Sequence, residues 1–336
     1  MESPGPRGEA EREAAASTAE GVSAFVARVL DQLSLSAWLP AALLTASVAV
    51  LLEFRSTRSV NLPSAISRLT ADPVRVLVLI IPLLVLATVV TQAFSFEAIR
   101  TLEGYWRRRG VASLARTLMI RGHVRRKRRL TKRRQRASED GFYAARPQML
   151  RDGIDVNVVN GFEALITGTP LPACLTDDQR REVMATNWRS SCDAWRVARV
   201  DHLIREEESY PITSRVLPTK LGNVIRATED ELQNAGSDVQ GFVLRRRTLV
   251  PRRVQLQHDQ FRNRLEMYCT LVFVSGLLVI LTPIALHARN IGNVAIAVIT
   301  AVFGALSVAS YLASIASARG YCAALKQMDE APTPPR

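Results

Sequence analysis

The sequence predicts an all-α integral membrane protein in which two transmembrane helical hairpins flank a mainly helical cytoplasmic domain, with room for one small strand pair. Three observations carry this. The 336 residues are 48% hydrophobic yet carry a formal net charge of +13, a pairing that fits neither a basic soluble domain nor a uniformly apolar polytopic protein. The apolar residues gather into four windows free of Asp, Glu, Lys and Arg, at 33–52, 76–96, 267–287 and 294–318. The charge gathers elsewhere: residues 97–266 hold 33 Lys and Arg against 21 Asp and Glu, which is +12 of the +13. Four cysteines with no CxxC pair exclude a disulfide scaffold, and the apolar content excludes a disordered chain.

Taken in order, residues 1–20 are acidic and rich in Ala, Gly, Ser and Pro. They lack the basic start of a secretory signal and read as a disordered tail. Val22, Phe25, Val26, Val29, Leu30 and Leu33 recur at helical spacing, so 21–32 reads as an amphipathic helix lying at the interface. Hairpin 1 occupies 33–96, with spans at 33–52 and 76–96, and hairpin 2 occupies 267–318, with spans at 267–287 and 294–318. About 20 residues at 1.5 Å each cross a hydrocarbon core of roughly 30 Å. The remaining residues, 319–336, are read as a C-terminal tail.

Orientation follows from basic residues near the span ends. Five Arg lie in 97–116 and five more in 247–266, against Arg55, Arg58, Arg68, Arg75 and Arg289 on the other side. Ten against five puts 97–266 and both termini inside. A reporter fused after Ser64 is therefore expected outside the cytoplasm and one after Glu139 within it; the reverse pattern would sink this topology. Forty Arg against four Lys reflects a GC-rich genome, which points to a bacterial inner membrane.

Running from the second span into 97–266, Phe96, Ile99, Leu102 and Trp106 form a stripe that extends the span. Val254, His258, Phe261, Leu265 and Tyr268 lead into the third, and the two stripes are expected to pair as an antiparallel stalk. Thr176-Asp-Asp-Gln179 has the form of a capping box, predicted to open one helix running to about Glu207. Its buried seam would be Met184, Trp188, Ser191, Trp195, Ala198 and His202. Thr219 is expected to cap a further helix through Leu232, with Glu229, Asp230 and Glu231 held by nearby Arg. The alternation Ile154, Val156, Val158 and the apolar 242–244 are the place for strands.

Two stretches, Ser95 to Trp106 (SFEAIRTLEGYW) and Leu217 to Asp230 (LPTKLGNVIRATED), resemble segments of a multi-pass, four-span membrane protein family common in actinobacteria, one with no assigned activity. The resemblance reaches from the first span to the fourth, outside the N-terminal tail. It implies the hairpin–domain–hairpin layout and no catalytic residue.

Chemistry is sparse. The phosphate-loop, dinucleotide, zincin and hydrolase-elbow motifs are missing. The histidines at 123, 202, 258 and 287 have no metal-ligand spacing with one another or with the cysteines. No catalytic residue, cofactor or metal is expected. What stands out is 121–136, ten basic residues in sixteen: Arg121, Arg125, Arg126, Lys127, Arg128, Arg129, Lys132, Arg133, Arg134 and Arg136. Three readings compete for this run. An anionic lipid surface attracts such residues by about 1 kcal/mol each. A solvated arm would bind a protein partner or compensate acids elsewhere in the domain. Nucleic acid is the least favoured, because no aromatic interleaves the run. Distance tests the lipid reading. On a straight helix Arg121 would lie about 38 Å beyond Phe96, far outside the Debye length of roughly 8 Å, unless Gly110 or Gly122 breaks it.

The spans carry no Asp, Glu, Lys or Arg, which argues against a coupled transporter. Thr88, Thr91 and Gln92, with Thr270, Ser275 and Thr282, can line a pore or make helix contacts. Ala297, Ala301, Ala305, Ala309 and Ala313 form a small-residue ridge, able to close the bundle or join protomers in a homo-oligomer. The leading expectation is a non-enzymatic scaffold or signalling protein whose basic domain binds a partner or the anionic membrane. An oligomeric channel or export pore lined by spans two and three is the alternative.

Overall fold

The computed structural model describes residues 35–57, 60–71, 73–106, 110–233, 238–287 and 291–331; the expected tail at 1–20 and interfacial helix at 21–32 lie outside the described residues. Among these, every regular element is helical. In chain order they are α1 (Leu35–Thr57), α2 (Leu62–Thr70), α3 (Pro73–Glu103), α4 (Val111–Arg151), α5 (Val156–Thr167), α6 (Asp177–Ala185), α7 (Ala194–Glu208), α8 (Lys220–Glu231), α9 (Val239–Arg247), α10 (Arg252–His287) and α11 (Asn293–Glu330). Single 3₁₀ turns lie at Trp188–Ser191 and Thr213–Arg215. Four helices, α1, α3, α10 and α11, are long and apolar enough to cross a membrane. The chain divides into two compact units. One comprises Met1–Leu102 with Val250–Ala324, the other Glu103–Leu249 with Leu325–Arg336.

In the first unit α1 packs along α10. Leu51 and Phe54 of α1, Ala65 of α2, Leu278 and Leu286 of α10 and Ile296 of α11 form one buried cluster. The expected stalk is corrected here. Val254, His258 and Leu265 of α10 are buried, but the stripe is met by α11. The His258 ring lies 5.1 Å from that of Tyr321, and the Phe261 ring leaves no room for a Cβ on Gly320. Phe96, its expected partner, is 60% exposed. A second correction follows: residues 319–330 continue α11 rather than forming a tail. The alanine ridge is also displaced from the role of closing the bundle. Ala297, Ala301, Ala305 and Ala309 are exposed and Ala313 half-buried. The face of α11 turned inward carries Ile296, Ile299 and Phe303, and the Ser307 hydroxyl donates to the Val272 carbonyl at 3.3 Å.

The second unit is built around α4, against which α5, the 3₁₀ turn at Trp188 and α7 pack. Phe142, Ala145 and Met149 of α4 close on Val158, Val159 and Phe162 of α5 and Val183 of α6. The strand pair is overturned. Asp155 caps α5, its carboxylate accepting from the Asn157 amide at 2.6 Å. Val158, Val159 and Phe162 then bury one helical face, so a short alternation meets a cap and becomes helix. Likewise Asp238 caps α9, accepting from Gly241 N, and 242–244 is helical.

The capping box forms as read, with Thr176 and Gln179 each bonding the other's backbone. Its helix stops at Ala185, however. Thr186 and Asn187 turn extended, the Asn187 side chain accepts from Arg189 N, and Asp193 opens a separate helix. The seam consequently dissolves. Trp188 is half-buried, edge-on to Phe142 at 6.0 Å, while Met184 and Trp195 are 68% and 59% exposed. Ala198 and His202 are exposed as well.

The two stretches that carried the family resemblance meet within this unit. Gly104, at φ 94°, ends α3, and a Cβ there would stand 2.5 Å from Pro218. Thr219 caps α8 by accepting from Gly222 N at 3.1 Å, and the Gly222 backbone lies directly against the Glu103 carbonyl.

Candidate functional site

The basic run does not form a loose arm. It is the middle of the 41-residue helix α4, which begins after Gly110, while α3 ends at Glu103, so no single helix runs from the second span to Arg121. At 100° per residue the run sorts onto two sides. His123, Arg126, Lys127, Leu130, Thr131 and Arg134 share one, and they meet α7 and the segment after it. Arg126 and Lys220 reach Glu206 at 3.9 and 3.1 Å. Arg134 binds Glu207 at 2.9 Å, and the Thr131 hydroxyl donates to the same carboxylate at 2.7 Å. Lys127 donates to the Pro211 carbonyl at 2.7 Å. Three consecutive glutamates end α7, where the helix dipole disfavours them, and these α4 cations offset that cost. His123 lies 3.2 Å from the Tyr210 hydroxyl. Its pKa is lowered by burial and by Arg126.

The other seven, Arg121, Arg125, Arg128, Arg129, Lys132, Arg133 and Arg136, are all exposed. They fall within about 140° of the helix circumference and extend about 22 Å along its axis. Upstream on this same face stand Leu114 and Leu118, 63% and 57% exposed, with Met119 beside them at 41%. The outward side of α4 is thus two apolar turns followed by four cationic ones. This division is not legible in the sequence, because Glu206, the Pro211 carbonyl and Glu207, which claim Arg126, Lys127 and Arg134, lie about 80 residues away.

At the far end of this face is a feature the sequence did not reveal. A cavity of about 360 Å³ is lined by Ala137, Asp140 and Tyr143 of α4 and by Trp195, Arg196 and Arg199 of α7. The Arg196 guanidinium lies 4.5 Å from the centre of the Trp195 ring system and pairs with Asp193. The Tyr143 hydroxyl donates to Glu163 at 2.9 Å.

A second cavity, of about 740 Å³, includes Tyr105, Arg215, Arg226, Glu229 and Asp230 in its wall. As expected, arginines hold the α8 acids: Arg226 reaches Glu229 at 3.0 Å and Asp230 at 3.3 Å, and Arg215 reaches Asp230 at 2.8 Å. Burial still raises both carboxyl pKa values, outweighing the Arg226 charge. Lys326 holds Glu231.

The candidate pore-lining hydroxyls of α3 and α10 each donate to a carbonyl of their own helix. Thr88 donates to Leu84 O at 2.7 Å, Thr91 to Thr88 O at 3.1 Å, Thr270 to Glu266 O at 2.9 Å and Thr282 to Leu278 O at 2.7 Å. Ser275 donates to Leu271 O at 2.5 Å, and Gln92 alone of the set is exposed. Among the described residues no three of His, Cys, Asp or Glu come together in metal-ligand geometry. No family model, curated protein or solved structure matches this chain.

Proposed function

We propose that this is a non-enzymatic, multi-pass protein of the bacterial inner membrane whose basic cytoplasmic unit docks on the anionic lipid surface through the outward face of α4, in a scaffold or signalling role. One observation carries the reading: exposed Leu114 and Leu118 share a helical face with Arg121, Arg125, Arg128 and Arg129. Apolar side chains that enter the acyl boundary, followed by cations that hold phosphate headgroups, are the two parts of interfacial binding. An arm that only compensated acids would have no use for exposed leucines, and a protein-paired α4 would already have spent its cations.

Depth tests it. The full chain, its four cysteines replaced and Leu118→Cys carrying an environment-sensitive fluorophore, is reconstituted in nanodiscs. The label is expected to be quenched by brominated acyl chains when about a third of the lipid is phosphatidylglycerol, and much less in pure phosphatidylcholine. Equal exposure to water in both would retire the lipid reading in favour of a soluble partner.

A further inference from the structure

We propose that the cavity between Tyr143 and Trp195 binds a nucleoside phosphate, either free or as part of a single strand. Two aromatic rings line a concave site yet remain 49% and 59% exposed, so the fold gains little from burying them there. Of the six lining residues only Ala137 is aliphatic, which offers nothing to an acyl chain and suits a flat, polarisable ring. A nucleobase is such a ring, and base–aromatic stacking tolerates any base because each has a π-face. The Arg196 guanidinium already lies over the indole at 4.5 Å, adding a cationic plane to the stack.

The charges complete the match. Arg199 lines the cavity. Arg136 and Arg133 stand one and two turns before Asp140 on α4, both exposed, in place to hold phosphates. Asp140 decides against a bare phosphate or a lipid headgroup: a carboxylate among the cations repels an anion, but it accepts from a base N–H or a ribose hydroxyl. The volume of about 360 Å³ lies at the lower end of small-ligand sites. The part of α4 assigned to lipid, 114–129, precedes this cavity along the helix, and the two readings stand independently.

The test uses the full chain in neutral-lipid nanodiscs and calorimetric titration with ATP, GTP, a ten-residue oligouridylate and inorganic tripolyphosphate. At least one nucleotide probe is expected to bind ten or more times tighter than tripolyphosphate. Mononucleotides binding alone identify a free ligand, and the oligomer binding alone identifies a strand. Trp195→Ala and Tyr143→Ala should each weaken binding about tenfold, the loss of one stacking contact, while Trp195→Phe retains it. Arg121→Gln with Arg125→Gln should leave it unchanged. Tripolyphosphate binding as tightly as every nucleotide probe, or Trp195→Ala without effect, overturns the proposal, as does the absence of binding by all four. In that last case vesicle docking, measured separately, still tests the lipid reading.

Discussion

Gly222→Ala is expected to cost the second unit more than about 3 kcal/mol, beyond the usual range for overpacking. A Cβ on residue 222 would stand 1.8 Å from the Glu103 carbonyl oxygen and 2.7 Å from its carbon. These are backbone atoms, so no rotamer change relieves the clash; either α8 or the end of α3 must move by more than an ångström. That movement would also disturb Gly104 against Pro218 and the Thr219 cap, which occupy the same joint. Because the clash arises at Cβ, Gly222→Val should be little worse than Gly222→Ala, unlike an ordinary core site, where cost grows with volume. The control is Gly122, in the interior of α4 with nothing within 4 Å of an added Cβ. Gly122→Ala removes helix-interior glycine and should stabilise by about 1 kcal/mol. Proteolysis of the full chain in detergent reads both: faster cleavage within 103–249 for Gly222→Ala and slower for Gly122→Ala. Wild-type protection in Gly222→Ala would mean that the joint between α3 and α8 is not close-packed.

Much of this helical fold is legible in the sequence, and what is not has a common cause. The four apolar helices follow from windows without charge, where length and hydropathy suffice. Local capping is equally readable: Thr176 with Gln179, and Thr219 before α8, act through neighbours three residues on. The failures are tertiary. Periodicity alone predicts one helix from 177 to 207, since Met184, Trp188 and Trp195 repeat at helical spacing. Asn187, which caps the turn, and Asp193, six residues on at the N-cap position of α7, are the signal that the helix is really two with a turn between them. Once it breaks, Trp188 turns to Phe142 and Trp195 to the surface, which creates the aromatic cavity that a continuous seam would have hidden. The stalk failed for the same reason. His258 is a buried seam residue as read, but periodicity names a face and not its partner, and that partner is Tyr321 on α11.

The basic run shows how a count becomes a surface. Ten cations in sixteen residues are too many for any one explanation, and the packing of α4 separates them. Arg126, Lys127 and Arg134 are structural, tied to Glu206, the Pro211 carbonyl and Glu207. Substituting Arg121, Arg125, Arg128 and Arg129 together by Gln should therefore leave the fold intact and weaken docking on anionic vesicles about 10³-fold. That follows from about 1 kcal/mol per basic residue near a charged surface, summed over four, with tenfold for every 1.4 kcal/mol. Co-sedimentation of the full chain, held in neutral-lipid nanodiscs, with large vesicles containing phosphatidylglycerol measures it. Arg134→Gln is the contrast. It leaves the half-buried Glu207 with the Thr131 hydroxyl but without its cation and should lower thermal stability while changing vesicle affinity by less than threefold. Salt separates the parts further. Raising ionic strength from 0.15 to 1 M shortens the Debye length from about 8 to about 3 Å and should remove most wild-type docking, leaving the residue supplied by Leu114 and Leu118. Leu114→Ser with Leu118→Ser should abolish that salt-resistant remainder. Equal loss from Arg134→Gln and the fourfold variant would mean that net charge, rather than the outward face of α4, governs docking.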